Sequence, residues 1–300
     1  MLFLMKYERR GQTKPSLVRV CHLLWRVQNH HARISCLVRS TIGMDDAQGY
    51  QEGDDYDLVL QKQEWIKTQD MLKSKLILED EFAWSLPSVG SGSDDHERCK
   101  LKYIGGTDIS FSKEDPSTAC AAVVVLNADT LEVVHEEFNI VQLQAPILLG
   151  LLEKVKINAP HFYPQLLMVD GNGLLHPRAG FGLACHLGIL ADIPTIGVGK
   201  NLHHVDGLNQ SEVRRLLESK ENCNQELILL TGQSGTKWGM ALRSCPGLSK
   251  PIYISVGHRI SLDSATVIVK SCCKYRVPEP TRQADIRSKA FLQKLQKPRQ

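Results

Sequence analysis

Apolar residues along this chain follow two periods in turn. Between residues 64 and 78 the positions Trp65, Ile66, Met71, Leu72 and Leu76 share one side of a helical repeat, which predicts an amphipathic helix. A polar, Gly/Ser-rich connector over 88–95 (SVGSGSDD) follows, so the compact part is expected to begin near Lys100. From there the pattern becomes strand-like. Residues 102–111 (KYIGGTDISF), 119–127 (ACAAVVVLN) and 131–140 (LEVVHEEFNI) read as three strands, the last two joined by a tight turn at 128–130 into an antiparallel hairpin. A helix is expected over 146–157, with Pro146 in its first turn. The apolar run 165–169 (QLLMV) ends on Asp170, a further helix covers about 182–190, and 195–198 forms another strand. Strands alternating with helices predict parallel pairing in that half. The expected class is α/β: a mixed sheet in which an antiparallel hairpin arm joins βαβ units, with flanking helices.

Charge sharpens this picture more than composition does. The 300 residues are 42% hydrophobic and 23% charged, with a net charge of only +3, ordinary for a globular chain. The distribution is uneven. Residues 1–43 hold eight Lys/Arg against one acid, residues 44–60 hold six acids and no base, and residues 256–300 hold ten bases against three acids. A basic C-terminal face suits a polyanion, or is simply solvated. The Arg-rich start reads either as an unstructured extension or as a transit peptide, and Met44 is a candidate second start. No apolar run reaches the length of a membrane-spanning helix. Nine cysteines form no C-x-x-C pair, and Cys120 and Cys185 sit inside apolar patterns. That points to buried free thiols in a reducing compartment, and away from a disulfide framework or a zinc site.

Acids that end or interrupt apolar strands are the leads to chemistry. Asp108 lies inside a strand after Gly105 and Gly106, and Asp170 ends one just before Gly171, Asn172 and Gly173. Ligands of α/β sheets bind outside the carboxyl ends of parallel strands, and carboxylates meeting there suit Mg²⁺, a hard cation that takes oxygen ligands. The alternative is that each aspartate caps a turn or a helix. Lys200, after the strand TIGVG, stands where it neutralises a phosphate, or is an exposed lysine of no consequence. His258, in SVGHRISL, reads as a metal ligand, an acid/base group or a structural histidine. The segment GQSG at 232–235 matches no phosphate loop and reads as a turn.

Six segments taken together are more specific than any of these residues. YIGGTDISF, VDGNGLLHPR, GFGLACHLGILADIPTIGVGK, WGMALRS, PIYISVGHRISL and YRVPEPTRQADI closely resemble the endonuclease V family, in that order, over about 64–289. The resemblance implies a ribonuclease-H-like fold and a divalent-metal-dependent endonuclease acting at hypoxanthine. The family cleaves deoxyinosine-containing DNA, and eukaryotic members act on inosine-containing RNA. The cut falls at the second phosphodiester 3′ to the lesion and leaves 3′-OH and 5′-phosphate ends. Carried over by position, Asp108 and Asp170 are metal-binding carboxylates, Lys200 lies near the scissile phosphate, and His258 sits by the metal and the attacking water. Gly171, Gly173, His176 and Gly182 fall in the segment that holds the flipped-out base. The implied cofactor is Mg²⁺, with Mn²⁺ as substitute, and the implied partner is single- or double-stranded DNA or RNA carrying inosine. A monomer located in the nucleus, nucleolus or cytoplasm is expected, with an organelle as the alternative. The implied organisation is an extension over 1–60, the endonuclease V domain over 61–290 and a basic tail over 291–300.

Two departures from the family pattern bear on activity. Members carry a segment like PYxxGFLxFRE, which supplies a strand-separating aromatic wedge and a third acidic metal ligand. Here NIVQLQ at 139–144 runs straight into APIL at 145–148, as in an alternatively spliced product. Losing one of three carboxylates weakens a site that depends on their charge, so hydrolysis is expected to be weak or absent. Glu153, the nearest remaining downstream acid, is not expected to take over. The second departure is Ala179, which intervenes between Arg178 and the triplet Gly180, Phe181 and Gly182. The competing reading is a non-catalytic protein that binds inosine-containing nucleic acid through its basic face. A junction resolvase is disfavoured by VDGNGLLHPR and GVGK.

Overall fold

Residues 119–126 contain no polar side chain, and in the computed structural model all eight are fully buried, because this strand is covered on both faces. The structure describes residues 66–87, 99–112, 118–142, 147–177, 180–219, 226–245 and 250–296. One compact unit comprises Leu72–Gln142 with Ile147–Gln300. Of the other unit, Met1–Met71 with Leu143–Pro146, residues 66–71 are described and are helical. The expected extension and acidic run at 1–60, the connector 88–95, Pro146, Arg178, Ala179 and the end of the basic tail lie outside the described residues.

The elements in chain order begin with helix α1 (66–73), followed by a short parallel pair, β1 (Trp84–Ser85) and β2 (Cys99–Lys100). Then come β3 (Tyr103–Phe111), β4 (Thr118–Asn127), β5 (Val133–Gln142), α2 (Ile147–Asn158), β6 (Leu166–Asp170), α3 (Leu183–Ala191) and β7 (Thr195–Gly199). The chain continues through α4 (Gln210–Ser219), β8 (Leu227–Thr231), β9 (Lys237–Leu242), β10 (Ile252–His258), α5 (Leu262–Ser271) and α6 (Glu279–Gln296). Eight strands form one sheet in the order β5-β4-β3-β6-β7-β10-β9-β8. The hairpin β4–β5 is antiparallel through the expected turn, and β3, β6 and β7 run parallel, as the alternation of strands and helices requires. Beyond β7 the sheet turns antiparallel again through β10, β9 and β8.

Period-2 alternation divides the core into two layers. Leu167 and Val169 pack with Ile147, Leu151, Leu152 and Val155 of α2 and with Ala184 and Leu187 of α3. Leu166 and Met168 face the opposite way and pack with Ile104, Ile254 and Val256, and with Ala265, Ile268 and Val269 of α5. Helix α6 lies on this second face: its Ala284 packs against Ala122, Val124 and Leu126.

Two expectations are corrected. The core begins before Lys100, because Trp84 is buried in the second layer with Phe82 and Leu86 packed beside it. The helix expected over 64–78 ends at residue 73, with a turn at 74–75. Its next residues are drawn to β10 instead: Ile77 N–H donates to His258 Nδ1 (3.3 Å), and Arg259 N–H donates to the Ile77 carbonyl (2.7 Å). Among the described residues Cys120 and Cys185 are buried free thiols, as their apolar settings predict, and burial pushes both up to about 12.

Candidate active site

The same alternation fixes where the strand acids point. On β3, Asp108 shares a face with Ile104, and on β6, Asp170 shares one with Leu166 and Met168, so both carboxylates emerge on the α6 side. Pairing of Thr107 with Val169 sets the next residues, Asp108 and Asp170, side by side on neighbouring parallel strands. Helix α6 can cross close above them because Gly106 has no side chain. A Cβ there would lie 1.8 Å from the Pro280 carbonyl oxygen at the start of the helix. One and a half turns further along, α6 delivers Asp285. Carboxylate oxygens of Asp108, Asp170 and Asp285 all lie within 4.8 Å of one another.

Three carboxylates this close repel, and the chain answers in two ways. Asp108, the most buried, is raised to about 6, by burial first and then by Asp170, with Asp285 adding. Hydroxyls of Ser110 (2.8 Å) and Ser288 (2.9 Å) at Asp108 Oδ2 act in the other direction. The second answer is Lys200. Its ammonium lies 2.6 Å from Asp170 Oδ2 and 3.9 Å from Asp285 Oδ1, while Lys289 reaches Asp285 at 2.7 Å. Burial pulls the Lys200 pKa down, but Asp170, Asp285 and Asp108 together carry it above its ordinary value. Lys200 is held at its backbone as well. Arg276 Nη2 donates to the carbonyls of Lys200 (2.9 Å) and Pro251 (3.0 Å), and its Nε donates to that of Lys250 (3.0 Å).

Of the residues singled out in the sequence, the structure brings Asp108, Asp170 and Lys200 together and leaves His258 apart. His258 pairs with Thr195 at the start of β7, whereas Asp170 pairs with Val198 near its end. Three register steps of ~3.3 Å separate them along the sheet. The antiparallel return of β10 carries the histidine to the opposite strand ends. There its Nδ1 accepts from Ile77 N–H, and burial first, then Arg259, lowers its pKa. His258 therefore stands apart from the carboxylates it was expected to join, and is held against the Ile77 amide.

The glycines of the segment expected to hold the base make hydrogen bonds within the fold. Gly171 N–H donates to Val198 O (3.1 Å), Gly173 N–H to Ser255 Oγ (2.8 Å) and Gly182 N–H to Gly173 O (3.0 Å). Their amides are spent inside the fold. Cβ atoms at Gly173 and Gly182 would meet backbone oxygens at 2.0 and 2.1 Å, so these residues are glycine because chain segments cross closely. His176 lies on the same loop, its N–H donating to Leu174 O (2.7 Å).

Asp285 is the residue that the sequence reading missed. Its signal was present. Thr281, Ala284 and Ser288 are buried at helical spacing, so Asp285 stands on the border of the stripe that α6 turns to the sheet. Glu153, on α2, does not join the cluster: α2 covers the opposite face.

Comparison with known proteins places this geometry. A sequence model of the family described as Endonuclease V matches residues 89–286. Endonuclease V of Homo sapiens is 43% identical over 246 residues, covering 77% of this chain and 83% of that protein. Endonuclease V of Mus musculus is 41% identical over 242 residues, covering 77% and 69%. The crystal structure of the catalytic domain of human Endonuclease V is 39% identical with a TM-score of 0.68, over 82% of this chain and 98% of that one. Endonuclease V of Ciona intestinalis, solved in complex with a 24mer DNA containing an inosine followed by a ribo-adenosine, gives a TM-score of 0.69 at 31% identity, over 79% and 99%. The mixed sheet is thus the ribonuclease-H-like fold of these neighbours, and the chain belongs to the endonuclease V family of endonucleases.

Proposed function

We propose that this chain is a Mg²⁺-dependent endonuclease, with Mn²⁺ as substitute, that acts on DNA or RNA containing inosine and cuts at the second phosphodiester on the 3′ side. The observation that carries the reading is the convergence of Asp108, Asp170 and Asp285, from two strands and a helix, beside Lys200. The donor set fits the ion: three carboxylates are hard oxygen ligands with the charge that a small divalent cation requires. Bound there, the metal supplies Lewis acidity to activate water and stabilise the leaving oxygen of an in-line displacement.

The chain's own residues do the rest. Ser110 and Ser288 fix Oδ2 of Asp108, so its other oxygen is oriented before any ligand arrives. Lys200, beside Asp170 and held at its carbonyl by Arg276, is the cation that would neutralise the phosphate. Residues 171 and 173 are braced on β7 and β10 through their amides, so a base taken out of the stack meets a rigid wall there. The inosine-bound Ciona relative supports the substrate class.

The missing PYxxGFLxFRE block favours attenuated cleavage: α2 begins five residues after β5 ends, leaving no room for the family's wedge. A single-stranded oligonucleotide carrying one inosine, in DNA and RNA versions, is the test, with this chain run beside a version holding the block between Leu143 and Ala145. Cleavage by the restored protein and weak or no cleavage by this chain is expected. Robust Mg²⁺-dependent cleavage by both would show that Asp108, Asp170 and Asp285 suffice. If neither cuts but both bind inosine strands in EDTA, the protein is a non-catalytic binder.

A further inference from the structure

Tyr275 is more exposed than an aromatic ring without a partner ordinarily is, at 55%. It is also prepared. Arg282 lies over it, with its guanidinium carbon 4.2 Å from the ring centroid. The guanidinium is in turn held by Glu279, both of whose oxygens accept from Nη1 at 3.2 Å, and Glu279 is itself buried. A buried acid therefore fixes a cation, and the cation backs an exposed ring, leaving a rigid π surface at the protein boundary.

The location gives this surface a use. Tyr275 adjoins Arg276, whose guanidinium holds the Lys200 carbonyl, and Arg282 stands three residues before Asp285 on α6. Tyr275 is thus the chain neighbour of the residue that holds the Lys200 backbone, and its ring packs on a residue one helical turn before Asp285. Stacking suits such a position, since every base has a π face and the contact asks for no particular sequence.

We propose that Tyr275, backed by Arg282, is a stacking platform for one unpaired nucleobase of the strand held at the carboxylate site. The inference rests on the nucleic-acid reading given above and extends it to a contact remote from the inosine itself.

The test is fluorescence anisotropy with labelled single-stranded oligonucleotides carrying one inosine, with Ca²⁺ replacing Mg²⁺ to prevent cutting. Tyr275→Ala is expected to weaken binding by roughly 5- to 100-fold, and Tyr275→Phe to leave it within about twofold. The dependence of binding on salt stays unchanged, because tyrosine carries no charge. An abasic residue walked along the strand finds one position whose loss harms the wild type and not Tyr275→Ala. Equal binding by wild type and Tyr275→Ala, or equal losses at every abasic position, overturns the platform. Should the alanine variant fold poorly, Tyr275→Leu, of similar bulk and without a π face, gives the same discrimination. A Tyr275 effect that persists on strands without inosine, with no preference for inosine at all, sinks the substrate reading and leaves the platform standing. Absence of binding to any strand sinks both.

Discussion

Asp108 is the residue at which stability and chemistry oppose each other. Raised from 3.8 to about 6, its carboxyl favours the folded state fully below pH 3.8, and that contribution is lost as pH rises through about 6. At neutral pH without metal, the buried charge therefore costs on the order of 2–3 kcal/mol. Asp108→Asn should raise the melting temperature of the metal-free protein at pH 7, with the gain shrinking toward pH 4, and should lower cleavage by several orders of magnitude when made in the version that carries the PYxxGFLxFRE block. Melts in EDTA across that range check the first part. His258 has the opposite sign and lies apart from the carboxylate cluster. Its lowered pKa means that neutral His258 supports the fold above about pH 6.5, and that support is lost as pH falls. His258→Ala should cost about 1–3 kcal/mol of stability through the unpaired Ile77 amide and leave the metal dependence of cleavage unchanged. The sequence showed an isolated histidine at a strand end but not which end of the sheet that strand would present.

At the scale of elements, the site depends on how closely α6 approaches β3. A Cβ at Gly106 would meet the Pro280 carbonyl at 1.8 Å, and backbone cannot swing aside as a side chain does. Gly106→Ala should therefore lift the start of α6, cost about 2 kcal/mol or more in urea titration, and reduce cleavage further than stability alone accounts for, because Asp285 moves with the helix. Arg276 ties the end of β7 to the start of β10 through three carbonyls. Arg276→Ala should destabilise by about 3 kcal/mol and lower kcat more than it raises KM, since it displaces Lys200 rather than the substrate's main contacts. The strands and helices read between residues 102 and 198 were legible to within about two residues, because continuous apolar runs and helical repeats are local properties. Asp285 was not, since a polar residue bordering an amphipathic stripe looks like surface until the partner sheet is in place.

Across the whole molecule, the basic excess of residues 256–300 is largely neutralised at home. Four acids outside the segment take up most of it, Arg259 pairing with Glu81 and Asp192, Lys270 with Glu226 and Arg287 with Glu136, while Arg282 and Lys289 pair with Glu279 and Asp285, which the excess already counts. Seven net charges acting freely on a duplex would give a log–log salt slope of about −6. With these pairs in place, a magnitude below about 3 is expected when strand binding is titrated against salt. The sequence by itself determined the α/β class, the hairpin arm, the parallel centre and two of the three carboxylates. It did so because burial on one or both faces writes itself into apolar periodicity, and because strand-ending acids stand out against that pattern. Only the tertiary structure decided that β10 returns antiparallel and carries His258 away, that α6 brings Asp285 in, and that Arg259, Lys270 and Arg287 meet acids distant in the chain. Those outcomes depend on register and on contacts between residues far apart in sequence, which a local pattern does not encode.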